Sequence, residues 1–185
     1  MSRDWDRSLL SVPPSTQDHR QGGLNAAVVL VLYGDYQSSQ SADVYRLIKA
    51  IQRQLDVSLG EDYLCFIFRH FPQRQIYAQA QHAAEAVEAA AAQGQFWQMH
   101  EMLFLHQQEL GNGYLVEYAN HLGLNISQFL RDLAGQVYVD RINADIESGR
   151  QSGVDAAPAL FVNGMRYTDF WNMKQLMAAI VAASD

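Results

Sequence analysis

The chain has a single cysteine, Cys65, among 185 residues. That count excludes an intrachain disulfide, a zinc cluster built on cysteines and any redox cycle that needs two thiols. Basic charge is also scarce. Thirteen Lys and Arg stand against 20 Asp and Glu, for a formal net charge of -7. No Lys/Arg cluster is long enough to make a basic face, so nucleic acid is not an expected partner. Long apolar runs are missing too. The longest, Ala26 to Tyr33, is too short to cross a bilayer. The first residues, MSRDWDRSLLSVPPSTQDHRQGG, contain no apolar segment of signal-peptide length and no small-residue cleavage site behind one. The expectation is a cytoplasmic protein with no membrane partner. No repeat recurs at a fixed period, and the only biased stretch is rich in alanine.

What is present suits one globular domain: 49% of residues are hydrophobic, enough for a core. Residues 1–23 read as an extended N-terminal arm, with Pro13 and Pro14 fixing local geometry and Gly22-Gly23 as a flexible joint. The run Ala26–Tyr33 (AAVVLVLY) reads as a buried central strand. After Gly34-Asp35-Tyr36-Gln37 and Ser38-Ser39-Gln40-Ser41, the residues Val44, Leu47, Ile48, Ile51 and Leu55 recur at helical spacing. A second strand-like run, Tyr63–Phe68 (YLCFIF), follows Gly60, and strand–helix–strand order favours parallel pairing.

Downstream the pattern is helical. Helices are expected over Ile76–Gln93, Phe96–Gln108, Tyr114–Leu122, Ile126–Leu133 and Gln136–Ser152. His106 is placed along the apolar side of the second of these. Asn125 or Ser127 is the expected cap of the fourth. Val137, Ile142 and Ile146 are the inward positions of the fifth. Asn163-Gly164 between Ala159–Val162 and Met165–Tyr167 is a strong hairpin signal. Met173–Ala183 completes the chain as a helix.

Several stretches, taken in order, resemble the DsbA family of thioredoxin-like proteins. GDYQSSQS at Gly34–Ser41 resembles the family's Gly-Asp-Tyr-Gln-Cys-x-x-Cys. FRHFPQ at Phe68–Gln73, the Ala-rich stretch with Phe-Trp-x-Met-His over Ala83–Phe104, and SGVDAAPALFVNGMRY at Ser152–Tyr167 each match a family segment, and DHRQGG at Asp18–Gly23 resembles the lead-in of cytoplasmic members. The resemblance implies an α/β, thioredoxin-like fold, made of β-α-β and β-β-α units with an inserted helical subdomain. The domain would cover 24–185 and the insertion about 76–152. It also implies a cis peptide bond before Pro158. The departures are as informative. Both cysteine positions hold serine, at Ser38 and Ser41; Tyr77-Ala78-Gln79-Ala80 replaces a common His-Pro-His-Ala; Ala157 replaces a Thr or Val.

In the family the first cysteine works because a helix N-terminus stabilises its thiolate. Serine keeps the shape and the hydrogen bonding but forms no disulfide, so the exchange reaction is removed altogether. The simplest role for Ser38 or Ser39 is helix capping. A second role is a ligand cradle formed by Ser38, Ser39, Gln40 and Ser41 with Ala157 and Pro158, accepting a peptide, a thiol compound or a partner protein. The kappa glutathione transferases resemble this arrangement, with serine holding the glutathione thiolate. Glutathione is therefore the one cofactor to consider, although Ser39-Gln40 replaces the Pro-Tyr such enzymes tend to show. A partner-binding scaffold or a homo-oligomer without a small ligand is a third reading. A hydrolase using Ser38 as nucleophile ranks low, because no G-x-S-x-G elbow is present. Cys65 reads as core, and Asp35 as either a turn residue or a tuner of the site. His70 and His100 look too isolated for a metal site, and none is expected.

Overall fold

The structure, a computed structural model, describes residues 8–184. Five strands form one mixed sheet: β1 (His19–Gln21), β2 (Val28–Gly34), β3 (Leu64–His70), β4 (Ala159–Val162) and β5 (Met165–Arg166). Their spatial order is β1-β3-β2-β4-β5. Only β2 and β3 run parallel, with Val28 opposite Leu64 and Gly34 opposite His70. They are joined by α1 (Ser39–Leu59), the crossover that a parallel pair requires. β4 and β5 form the expected hairpin, where Asn163 and Gly164 both take positive φ, 45° and 80°. This is the conformation that a two-residue turn matched to strand twist demands.

Side chains alternate across the sheet and define two cores. On one face Leu30, Leu32, Phe66, Phe68 and Leu160 pack under α1 and α7 (Met173–Ala182) and against the helical block. On the other face Val31, Tyr33, Ile67 and Phe161 meet Ile142 and Ile146. Cys65 is fully buried on this second face. The helical block comprises α2 (Ala80–Ala91), α3 (Phe96–Leu105), α4 (Asn112–His121), α5 (Ile126–Ala134) and α6 (Val139–Gln151). Asn125 caps α5, its side chain accepting from the Gln128 N–H.

Five readings need correction. Residues 1–7 lie outside the described residues, but from Ser8 onward the arm is part of the fold. Leu9 bridges Met165 beside β5, and β1 pairs antiparallel with β3 as the sheet's far edge. Gly22 is consequently not a loose joint. Its φ is +91°, and a Cβ there would stand 2.7 Å from the Leu64 carbonyl oxygen, so glycine is what permits this close passage. Val137 is 57% exposed, because α6 starts only at Val139 and the preceding turn faces solvent. His106 is exposed at the C-cap of α3, where the helix has already ended. The alanine-rich helix also starts late, at Ala80; Ile76 precedes it and is exposed.

Candidate functional site

The pairing of Tyr33 with Ala159 brings the C-terminal end of β2 beside the N-terminal end of β4. Pro158, which follows a cis peptide bond from Ala157, therefore lies at the same end of the sheet as the loop that feeds α1. A Cβ at Gly34 would come within 2.4 Å of the Phe68 ring, so any side chain there would have to displace that ring. The six sequence-expected residues thus cluster at one end of the sheet, but with unequal access. Ser38, Ser41 and Ala157 are buried, Pro158 is half-buried, and Ser39 and Gln40 are exposed.

The two serines serve the loop itself. Ser38 is the N-cap of α1, and its Oγ accepts from the Ser41 N–H at 3.2 Å. The Ser41 Oγ in turn accepts from the Asp35 N–H, also at 3.2 Å. Ser38 is thus the cap, and Ser39 is the first helical residue. Asp35 fastens the loop from within. Its carboxylate accepts from the Gln37 N–H and from the Gln73 N–H, both at 2.8 Å, which ties the site to the segment after β3. Asp35 is 1% exposed, and burial raises its pKa above the usual carboxylate value while these backbone hydrogen bonds pull the other way. Gln107, beyond α3, donates through Nε2 to the carbonyls of Tyr36 at 2.7 Å and Ser38 at 2.8 Å. No simple periodicity marks Gln107, so sequence reasoning missed it.

Under the loop lies an aromatic nest. Tyr36 OH and His100 Nδ1 share a hydrogen bond of 2.8 Å, and both groups are buried. Burial depresses the His100 pKa well below its ordinary value, so the imidazole is neutral, and burial raises that of Tyr36. Tyr45, Phe68, Phe96, Trp97 and Phe104 surround His100. The Cys65 thiol is raised by the same desolvation, which leaves it a poor nucleophile. Among the described residues no histidine hydrogen-bonds Ser38, so the hydrolase reading lacks a general base.

On the Pro158 side a groove of about 350 Å³ is lined by Ser8, Pro158, Arg166, Tyr167 and Trp171 among others. Within the lining Trp171 is 42% exposed, and the preceding Phe170 is 74% exposed. Among the described residues no backbone hydrogen bond uses the N–H or C=O of Ala157.

His70 is not isolated. Its Nε2 lies 2.7 Å from Glu88 Oε1, and His19 Nε2 lies 2.8 Å from the same oxygen. Arg141 Nε donates to that oxygen as well, at 3.1 Å. Glu88 is only 3% exposed. It sits in the alanine-rich stretch of α2 with nothing in its spacing to distinguish it from an ordinary helix former, and its partners lie far away in sequence.

Fold and site together define a DsbA-like thioredoxin-fold protein without a Cys-x-x-Cys pair. The chain belongs to the thioredoxin family whose model matches residues 15–182. Solved structures of similar fold include BdbD from Bacillus subtilis, in its oxidised form, with a TM-score of 0.78 at 19% identity over 96% of this chain and 98% of that one. A thioredoxin-like oxidoreductase from Silicibacter pomeroyi gives 0.74 at 19% identity, over 99% and 98%. In sequence, the chain is 36% identical over 177 residues to a protein named Na(+)/H(+) antiporter NhaA 3 from Salinispora tropica, covering 95% of this chain and 26% of that protein. NhaA 1 from Mycolicibacterium vanbaalenii is 34% identical over 176 residues, covering 94% and 28%. The chain thus spans about a quarter of the length of these curated relatives. No helix among the described residues is long and apolar enough to cross a membrane.

Proposed function

We propose that this chain binds an extended peptide segment of a partner protein at the Ala157–Pro158 edge and performs no thiol–disulfide exchange. The observation that carries the reading is the unused backbone of Ala157 next to the Pro158 groove, whose aromatic shelf is Tyr167 and the part-exposed Trp171. Free main-chain groups next to apolar surface suit the addition of a strand whose side chains pack on the shelf. Serine at both cysteine positions makes the encounter reversible, since no mixed disulfide can form there. A cytoplasmic location accords with a single buried thiol and no need for oxidation.

Capping ranks ahead of thiolate binding for Ser38, because that hydroxyl is 2% exposed and already accepts a backbone N–H. Glutathione is therefore the second ligand to test. The test uses carboxymethylated insulin B chain, an unfolded peptide with blocked thiols, in fluorescence anisotropy. Micromolar-range binding, weakened about tenfold or more by Trp171→Ser, supports the reading. Absence of binding at millimolar peptide overturns it, and insulin-reducing activity of the unaltered chain overturns the redox part. Binding of glutathione that is lost in Ser38→Ala would put the transferase-like reading first.

A more specific partner has one supporting observation. The matching stretch recurs in relatives named as sodium/proton antiporters that are about four times longer than the match. A membrane transporter is therefore the partner class to try first in co-purification.

A further inference from the structure

We propose that His19, His70 and Glu88 form a binding site for a divalent transition metal of the zinc type, and that Arg141 is the cation holding its place in the metal-free chain. Two imidazole nitrogens and one carboxylate oxygen converge within 4.8 Å of one another. Imidazole and carboxylate together are the donor set that suits zinc and its neighbours. The three groups come from different elements. His19 is on β1, His70 on β3 and Glu88 on α2. None of them touches Ser38 or Ser41, so the cluster is separate from the peptide edge.

The present spacing is that of hydrogen bonds, 2.7 and 2.8 Å to Glu88 Oε1. A tetrahedral metal about 2.0–2.1 Å from each donor sets them roughly 3.3 Å apart, so each histidine nitrogen need move about half an ångström from the Glu88 oxygen. Both rings have the nitrogen lone pairs for this. Each Nε2 that now faces Glu88 becomes a ligand once it gives up its proton. His70 Nδ1 has no hydrogen-bond partner and is buried, so its ring is already committed wholly to the Glu88 side. Its ring is packed among Tyr36, Phe68 and Phe96, and His19 is stacked on Phe96 at 3.7 Å. Both rings are thereby held in orientation.

Charge favours a divalent occupant. Asp145 accepts from the His70 N–H at 2.9 Å, which places a second carboxylate beside the cluster. Two carboxylates face one guanidinium, and a doubly charged ion in its place balances them. Arg141 can leave. It is 31% exposed, and its only other bond here runs from Nη2 to the Gln17 carbonyl at 2.9 Å. Its departure frees a position at Glu88 Oε1 and admits a water as fourth ligand.

The test is titration of the chelator-stripped full chain with zinc(II) by competition with a chromophoric chelator, and with cobalt(II) by visible absorption. Expected are one-to-one binding, a cobalt d–d band and a raised melting temperature. Arg141→Ala should tighten binding about tenfold, an outcome a merely structural cluster does not produce. His19→Gln, chosen because this ring is the least buried of the three ligands, should weaken it about a hundredfold. No binding at millimolar metal overturns the proposal. So does binding that is indifferent to both substitutions, which would assign the metal to surface histidines.

Discussion

Arg69 offers the sharpest test of how the arm is held. The side chain is 3% exposed, and it spends its whole fork on the arm and on the neighbouring strand. Nε and Nη2 donate to the two Asp18 oxygens at 2.8 and 3.1 Å. Nη1 donates to the Val12 carbonyl at 2.9 Å and to Tyr33 OH at 3.0 Å, and Nη2 reaches the Pro13 carbonyl at 3.3 Å. Asp18 is 8% exposed at its side chain, so this is a buried pair rather than a surface one. Removing one partner of such a pair strands the other charge and costs about 3–5 kcal/mol. Arg69→Met should therefore lower the unfolding free energy by about 3–5 kcal/mol. Arg69→Lys should cost about 2–3 kcal/mol, because a single ammonium cannot satisfy a two-toothed carboxylate and two carbonyls together. Asp18→Asn completes a double-mutant cycle, and the coupling between the two positions should reach about 1–3 kcal/mol. Urea unfolding followed by circular dichroism supplies these numbers, with limited trypsin digestion reporting release of the arm at Arg20. An Arg69→Met variant within 1 kcal/mol of the parent, or a cycle additive to within about 0.5 kcal/mol, refutes the account of the arm as a bound part of the core.

Three further outcomes follow from the site. Ser38→Ala should cost about 1 kcal/mol as a lost cap, and Ser41→Ala about 1–3 kcal/mol, because it leaves the Asp35 N–H unpaired beneath the surface; denaturation of the two variants in parallel checks the order. Burial raises the Asp35 pKa above 3.8, so its contribution to stability is complete below that value and is lost as pH rises through the folded-state pKa. Asp35→Asn should remove this component, and the stability difference should therefore move toward the parent as pH falls from 7 to 3 in equilibrium unfolding. Cys65, fully buried and with its thiol pKa raised, should react with a colorimetric disulfide reagent only after unfolding; rapid labelling of the native chain would contradict its place under the sheet.

Much of the scaffold could be read from residue order because its signals are local. The Asn163-Gly164 turn demands positive φ at two adjacent residues, and few dipeptides supply that. The apolar face of α1 repeats at the helical period, and Ser38 stands where a cap belongs. What escaped was set by partners distant in sequence. β1 is three residues long and exists because β3 offers it an edge. Gly22 resembled a joint because nothing local reveals the Leu64 carbonyl beside it. Val137 fitted the helical period but belongs to the turn before α6. Within the site, the position of the two serines was legible, but their mutual bonding through Ser41 N–H and Asp35 N–H was not. His70 looked solitary because Glu88 and His19 are 18 and, on the other side, more than 50 residues away along the chain.

The closed hydrogen-bond circuit from Ser38 through Ser41 to Asp35 has one more consequence. A cysteine pair at such a position has two covalent forms, and its loop reports which form the surroundings impose. Two hydroxyls that occupy the Ser41 and Asp35 backbone amides have a single form. The mouth of this fold therefore keeps the same shape in reducing and in oxidising surroundings, and whatever docks beside it meets a surface that carries no memory of oxidative stress.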